Sequence, residues 1–302
     1  MPDPSRDTIA GAVFQDLRNL ARRQRRGTDE LLVFYVLERF LYRLSRSPYA
    51  DRFTLKGGLL LATLDARRPT RDGDLLAELT RDESSVLDGI SAIARIEDDD
   101  GVEFLAEEIK STTIREGDLY EGLRVSMPAR VATARVKLQL DINFGDPVTP
   151  GAIVTEYPQL LAAGAFRIQG YPLETVLAEK LTTAMSLGDA NTRDRDWADL
   201  WRLTGQHELS DSAVYRALER TAAHRGVELR PLSHAITSLP TRRAGAFRAW
   251  RTRQGVDGAE YPEAFADLVA DVVAFADHLM TEDIGRRTWD PVERRWTATP
   301  GV

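Results

Sequence analysis

The stretch from Phe53 to Glu78, FTLKGGLLLATLDARRPTRDGDLLAE, constrains the fold of this chain more than any other. A short strand, Phe53 to Leu55, leads into Lys56-Gly57-Gly58 and then the apolar series Leu59, Leu60, Leu61 and Leu64. A basic turn, Arg67-Arg68-Pro69-Thr70-Arg71, precedes a second strand that opens with Asp72-Gly73-Asp74. Paired glycines let a backbone approach a phosphate closely at a helix start, where unpaired amides favour anions. Asp72 and Asp74 are two apart in an extended segment, so their carboxylates point to one face. Carboxylates so placed repel each other unless a cation or a proton lies between them. The stretch therefore predicts a phosphate cradle beside a Mg2+ (or Mn2+) site, because hard cations with oxygen ligands bridge carboxylates and substrate phosphates.

Strand patterns continue over residues 101–144, with candidates at Val102 to Ile109, Tyr120 to Met127 and Ala134 to Phe144. In the last, Val136, Leu138, Leu140 and Ile142 alternate with Lys137, Gln139, Asp141 and Asn143, which predicts a half-buried strand with one polar face. Asp141 on that face is the candidate third metal-binding carboxylate; the alternative is an ordinary exposed strand aspartate. Ahead of these strands, residues 7–26 and Asp29 to Arg46 carry apolar residues at helical spacing, the second helix packing beneath the sheet. The end of the first is basic, with Arg18, Arg22, Arg23, Arg25 and Arg26 before Gly27. Those arginines suit either a helix C-terminus closed by glycine or a contact with an RNA backbone.

Gly145, Pro147, Pro150 and Gly151 mark a boundary near residue 146. The expectation is an α+β chain of two lobes: residues 1–146, a mixed sheet with helices on one face, and residues 147–302, mainly helical. In the second, Pro172 starts a helix whose apolar stripe holds Leu173, Val176, Leu177, Leu181 and Ala184. Lys180 falls near the middle of that stripe, so its ammonium either escapes to solvent or finds an anion such as a phosphate. Further on, Asn191-Thr192-Arg193-Asp194-Arg195-Asp196 opens a helix buried through Trp197, Leu200 and Trp201. By themselves these charges are compatible with simple dipole and ion-pair decoration. Helices over about 211–224 and 262–280 follow.

Composition excludes several classes. The chain has 302 residues, no cysteine, and four histidines without metal-ligand spacing, so neither disulfides nor a thiolate metal site are available. It contains no apolar run near the roughly 18 residues that a membrane span needs, and the polar, acidic start MPDPSRDT is unlike a signal peptide. A cytoplasmic protein is expected. The net charge of −7 disfavours unspecific coating of nucleic acid while leaving room for a local basic patch.

Gly-Gly at a helix start followed by Asp-x-Asp is the pattern of the polymerase-β-like nucleotidyltransferases. The fuller order in this chain resembles the AbiEii family of bacterial toxins, to which the MenT toxins belong. It runs Lys56-Gly57-Gly58, then Arg68-Pro69-Thr70-Arg71-Asp72-Gly73-Asp74, then the strand aspartate Asp141. Pro172-Leu173-Glu174 through Ala178-Glu179-Lys180-Leu181 and Arg193-Asp194-Arg195-Asp196 through Asp199-Leu200 complete it, so the likeness covers about residues 50–203. Two positions depart from it: Arg195, where the family often has lysine, and Gly73, where an apolar residue is common and a glycine loosens the strand.

The resemblance implies a polymerase-β-like lobe and a Mg2+-dependent toxin of a type IV-class toxin–antitoxin pair. Such a toxin transfers a nucleotide from an NTP, a pyrimidine nucleotide in MenT-like members, to the 3′ end of tRNA, blocking translation, and is paired with an antitoxin. By position, Asp72 and Asp74 hold the metal, Lys180 binds the triphosphate, and Asp196 completes the catalytic set beside Arg193. Lys56, Gly57, Gly58 and Arg71 are phosphate contacts, with Lys56 alternatively touching the opposite lobe. Asp141 completes the metal site or accepts the acceptor's proton. Transfer onto a protein hydroxyl, a non-catalytic nucleotide-binding module and a metal-dependent nuclease are the competing readings.

Overall fold

Strand Phe53–Lys56 (β1) and strand Gly73–Ala77 (β2) lie antiparallel at the middle of an eight-stranded mixed sheet. This computed structural model describes residues 4–79, 82–116, 120–281 and 283–299. Its chain divides into two compact units, residues 1–146 with 152–171, and residues 147–151 with 172–302.

In the first unit, helices α1 (Ile9–Gln24) and α2 (Thr28–Ser45) precede β1. Thr8 caps α1 by accepting the Gly11 amide, one of the donors left over at a helix start. The C-terminal stop is Arg25, in the left-handed region, and not Gly27, which instead precedes α2. After β1 comes a single turn, α3 (Gly57–Leu60), and a 3-10 turn, Leu61–Leu64; the apolar series there forms no longer helix. Helix α4 (Glu83–Ala94) leads to β3 (Val102–Phe104), β4 (Lys110–Glu116), β5 (Tyr120–Val131) and β6 (Ala134–Phe144). Of the single strand expected over Val102 to Ile109, only Val102–Phe104 forms; a 3-10 turn at Ala106–Glu108 ends it, and β4 follows as a separate strand, both β3 and β4 pairing with the long β5.

Strands β7 (Ile153–Pro158) and β8 (Ala165–Gly170) complete this sheet, in the order β3-β5-β6-β2-β1-β8-β7 with β4 also on β5. The pairs β2/β6 and β1/β8 are parallel, the others antiparallel. The chain leaves the sheet after Asp146 and returns at residue 152, so 152–171 belong with the first unit although the sequence boundary placed them in the second. Their signal is brief but present: Tyr157, Phe166 and Ile168 are buried at alternating positions on a hairpin. Helix α2 packs against β6, β8 and α4, and its Leu37 reaches the Gly73–Leu140 pair. Side chains alternate along a strand, so Asp74 and Asp141, one residue on, lie on the face away from α2.

The second unit holds α5 (Leu173–Leu187), α6 (Asp194–Thr204), β9 (Leu209–Ser210), α7 (Asp211–Arg225), α8 (Leu232–Ala235), α9 (Leu239–Arg253) and α10 (Phe265–His278). It ends in β10 (Arg287–Asp290) and β11 (Arg295–Ala298), which pair in the order β11-β10-β9. Packing runs α5 on α7 and α6 on α10, around Trp197, Phe247, Phe265, Phe275 and Trp289. Residues 147–151 join this unit because the Thr149 amide donates to Thr175 Oγ1 at 3.0 Å while that hydroxyl donates back to the Thr149 carbonyl at 2.9 Å. Among the described residues, no helix is long and apolar enough to cross a membrane.

Candidate active site

Strand register sets four charged residues of the first unit in one row across the sheet. Arg124 on β5 is opposite Asp141 on β6, Asp141 is level with Asp74 on β2, and Asp74 is opposite Lys56 on β1. Partners in register share a face and stand roughly 4.8 Å apart strand to strand, so the row reads plus, minus, minus, plus. Its two ends behave differently. Arg124 closes on its neighbour: Nε donates to Asp141 Oδ1 at 2.8 Å and the second guanidinium nitrogen to Oδ2 at 2.6 Å. Lys56 instead sends its ammonium to Asp146 Oδ2 at 2.7 Å, in a buried pair over the Tyr171 ring. Lys56 thus anchors the first unit to its own Asp146.

The Lys56-Gly57-Gly58 segment wraps this row. Gly57 has φ +62°, which a side chain disfavours, and an added Cβ would lie 2.0 Å from Asp74 Oδ2. The Gly58 amide donates to the Asp74 carboxylate. A Cβ on Gly58 would meet Thr70 Oγ1 at 3.0 Å, and the same hydroxyl donates to Asp72 Oδ1 at 2.8 Å. The glycine turn therefore has its close approach to Asp74 and Thr70 within the protein itself. Gly73 does not loosen β2: it pairs with Leu140 and fills against Leu140, Leu59 and Leu37, with a hypothetical Cβ 3.0–3.5 Å from their methyls. Arg71 is exposed just before Asp72.

Charge crowding shows in the acid–base balance. Burial, then the neighbouring Asp72, pushes the Asp74 carboxyl up to about 6, with Asp141 adding to the rise while Lys56 and the Gly58 amide oppose it. Arg124 is held more firmly protonated, first by its hydrogen bonds to Asp141. Among the described residues, neither Asp72 nor Asp74 forms an ion pair with a cationic side chain. Nor does any group of three or more His, Cys, Asp or Glu there form a ready cage for a metal ion. The expected trio is a half-buried pair, Asp72 and Asp74, plus an Asp141 whose oxygens are both engaged by Arg124. The pair fits a hard cation, since its donors are carboxylate oxygens and one of the two carboxyls, buried beside the other, resists ionisation.

In the second unit, Lys180 on α5 neither escapes to solvent nor stands alone. Its Nζ donates to Asp196 Oδ1 at 2.7 Å and Asp199 Oδ2 at 2.8 Å, both on α6. Arg193, which precedes α6 and is 48% exposed, has a guanidinium nitrogen 4.0 Å from Asp196 Oδ2. The motif's Asp194 is bound by two nitrogens of Arg243 from α9, so this aspartate fastens α6 to α9. Of the basic residues around α1, Arg26 pairs with Glu30 at 2.7 Å and Arg18 bonds Gln15, whereas Arg22, Arg23 and Arg25 are exposed.

Arg124, Asp146, Thr70 and Asp199 escaped the sequence reading as site residues. Asp199 had a signal, falling three residues after Asp196 in one motif. Arg124 had one only in principle: its partner follows from the register of the β5–β6 hairpin, whose turn residue Ala132, at φ 51°, carries no Asn-Gly signature.

Comparison with known proteins bears on the fold and the family. No curated protein matches the chain by sequence. Among solved structures, the nucleotidyltransferase toxin MenT4 of Mycobacterium tuberculosis superposes with a TM-score of 0.50 at 16% identity, covering 88% of this chain and 98% of its own. JHP933 from Helicobacter pylori gives a TM-score of 0.50 at 14% identity, over 82% of this chain and 92% of its own. At such identities the likeness establishes the fold, a mixed α+β architecture. The family model for the nucleotidyl transferase AbiEii toxin of type IV toxin–antitoxin systems matches residues 39–289, from α2 to β10. The chain belongs to the AbiEii family of nucleotidyltransferase toxins.

Proposed function

We propose that the protein transfers a pyrimidine nucleotide from an NTP to the 3′ end of tRNA, releasing pyrophosphate, and that a cognate antitoxin restrains it. The observation that carries the reading is the Asp74–Asp141 row on the sheet face away from α2, walled by Gly57-Gly58 and flanked by Asp72. The acceptor hydroxyl oxygen bonds to the α-phosphorus, the bond to the β-phosphate oxygen breaks, and the hydroxyl proton passes to a carboxylate, for which we assign Asp141. Asp72 and Asp74 would hold Mg2+. When bound, such an ion supplies charge neutralisation for the phosphates. Lys180 and Arg193 are assigned to the triphosphate by their place in the family pattern, with Arg71 and the Gly57-Gly58 backbone as further phosphate contacts. Asp196 then acts as the carboxylate that orients Lys180.

The test is incubation of the purified protein with tRNA, Mg2+ and each α-labelled NTP in turn, followed by separation of RNA from protein. Label on tRNA from CTP or UTP is the expected result. Label on protein alone moves the acceptor to a protein hydroxyl, and shortened RNA without label indicates a nuclease. NTP binding without pyrophosphate release overturns the enzymatic reading.

A further inference from the structure

Arg124 has no place in the motifs that define the family resemblance, yet it closes one end of the carboxylate row. Its bidentate contact takes both oxygens of Asp141, and its own side chain is 41% exposed against 13% for the aspartate. The opposite end lacks an equivalent, because the Lys56 ammonium is drawn away to Asp146. Among the described residues, one guanidinium is thus the ion-pair partner of the row, and it is attached to the member that sits level with Asp74. A divalent cation held by Asp74 can recruit Asp141 only if this pair opens, since a guanidinium and a metal ion cannot share the same two oxygens.

Resting on the reading that Asp72 and Asp74 bind a divalent cation, we propose that Arg124 is a positioning residue that competes with that cation for Asp141. In the resting protein it stands in for the ion, keeping the row paired and holding Asp141 out of the coordination shell. Its exposure leaves the guanidinium room to move off when a stronger anion, such as a nucleotide polyphosphate, is present.

Titrating the nucleotide-free full chain with Mn2+, by electron paramagnetic resonance of the free ion or by calorimetry, reads this directly. Arg124→Gln is expected to bind Mn2+ about tenfold more tightly than wild type, the size of a lost charge-assisted pair. Arg124→Lys, which retains charge without the fork, is expected to fall between. In an Asp141→Asn background the Arg124→Gln gain is expected to vanish, because the contested ligand is gone. Three results overturn the proposal: an unchanged or weaker Mn2+ affinity in Arg124→Gln, a gain that persists with Asp141→Asn, or unfolding of both Arg124 variants by circular dichroism. Asp72→Asn separates the two levels. Mn2+ binding that ignores Asp72→Asn removes the cation reading and this proposal with it; binding that depends on Asp72 but not on Arg124 removes this proposal alone.

Discussion

Gly57 and Asp74 are in steric contact: a Cβ on Gly57, where φ is +62°, would lie 2.0 Å from Asp74 Oδ2. Two constraints act at once, since left-handed backbone costs a non-glycine residue about 1–2 kcal/mol and the carboxylate must also shift. Gly57→Ala is expected to lose about 2–4 kcal/mol in urea unfolding and to reduce nucleotide transfer far more than stability alone explains. Gly58→Ala, facing Thr70 at 3.0 Å with ordinary φ, is expected to be milder. Wild-type stability and rate in Gly57→Ala would show that the Asp74 position is not set by this contact.

The elevated carboxyl of Asp74 gives a pH dependence with a definite sign. Its ordinary value of 3.8 rises to about 6 in the folded chain, so between these limits the native state holds a proton that the unfolded chain has released. Stability from this group is therefore greatest in acid and falls as pH rises through that window. Asp74→Asn is expected to unfold later than wild type above pH 6, by about 1–3 kcal/mol, with the gap closing toward pH 4. A variant less stable than wild type at both ends would refute the assigned cause.

Lys180 carries structure through its pairs with Asp196 and Asp199. Asp199 is 3% exposed and Lys180 is 12% exposed, so Lys180→Ala takes the ammonium away from a buried carboxylate. We expect a loss of about 3–5 kcal/mol in chemical unfolding, which makes that single variant a poor probe of catalysis. Lys180→Met combined with Asp199→Leu is expected to recover most of the stability while leaving transfer abolished. Recovery of both would remove Lys180 from the reaction.

Lys56 and Asp146 pose a parallel question at the edge of the row. With the ammonium held at 2.7 Å, Lys56→Met is expected to destabilise the first unit. Lys56→Met with Asp146→Leu is expected to restore stability with the NTP KM near wild type, as for an anchor. A large rise in KM in the stable double variant would instead place Lys56 on the phosphates.

Local pattern determined much of this protein. Alternation along Ala134 to Phe144 specified β6 and which of its residues share its polar face, because a pleated strand has period two. The spacing of Asp72 and Asp74 marked one face, and Pro172 with the stripe behind it marked α5. What the tertiary structure decided is which charge meets which. Lys180 reads as a lysine in search of an anion, but only the packing of α6 on α5 supplies Asp196 and Asp199 as that anion. Arg124 and Asp141 are 17 residues apart, and a one-residue slip in the β5–β6 turn would put them on opposite faces. Residues 152–171 return to the first sheet through a parallel pairing of β8 with β1, a contact more than a hundred residues apart that no local periodicity encodes. Periodicity acts within a few residues, whereas register and ion pairing depend on chain closure over long separations, and there the site was assembled.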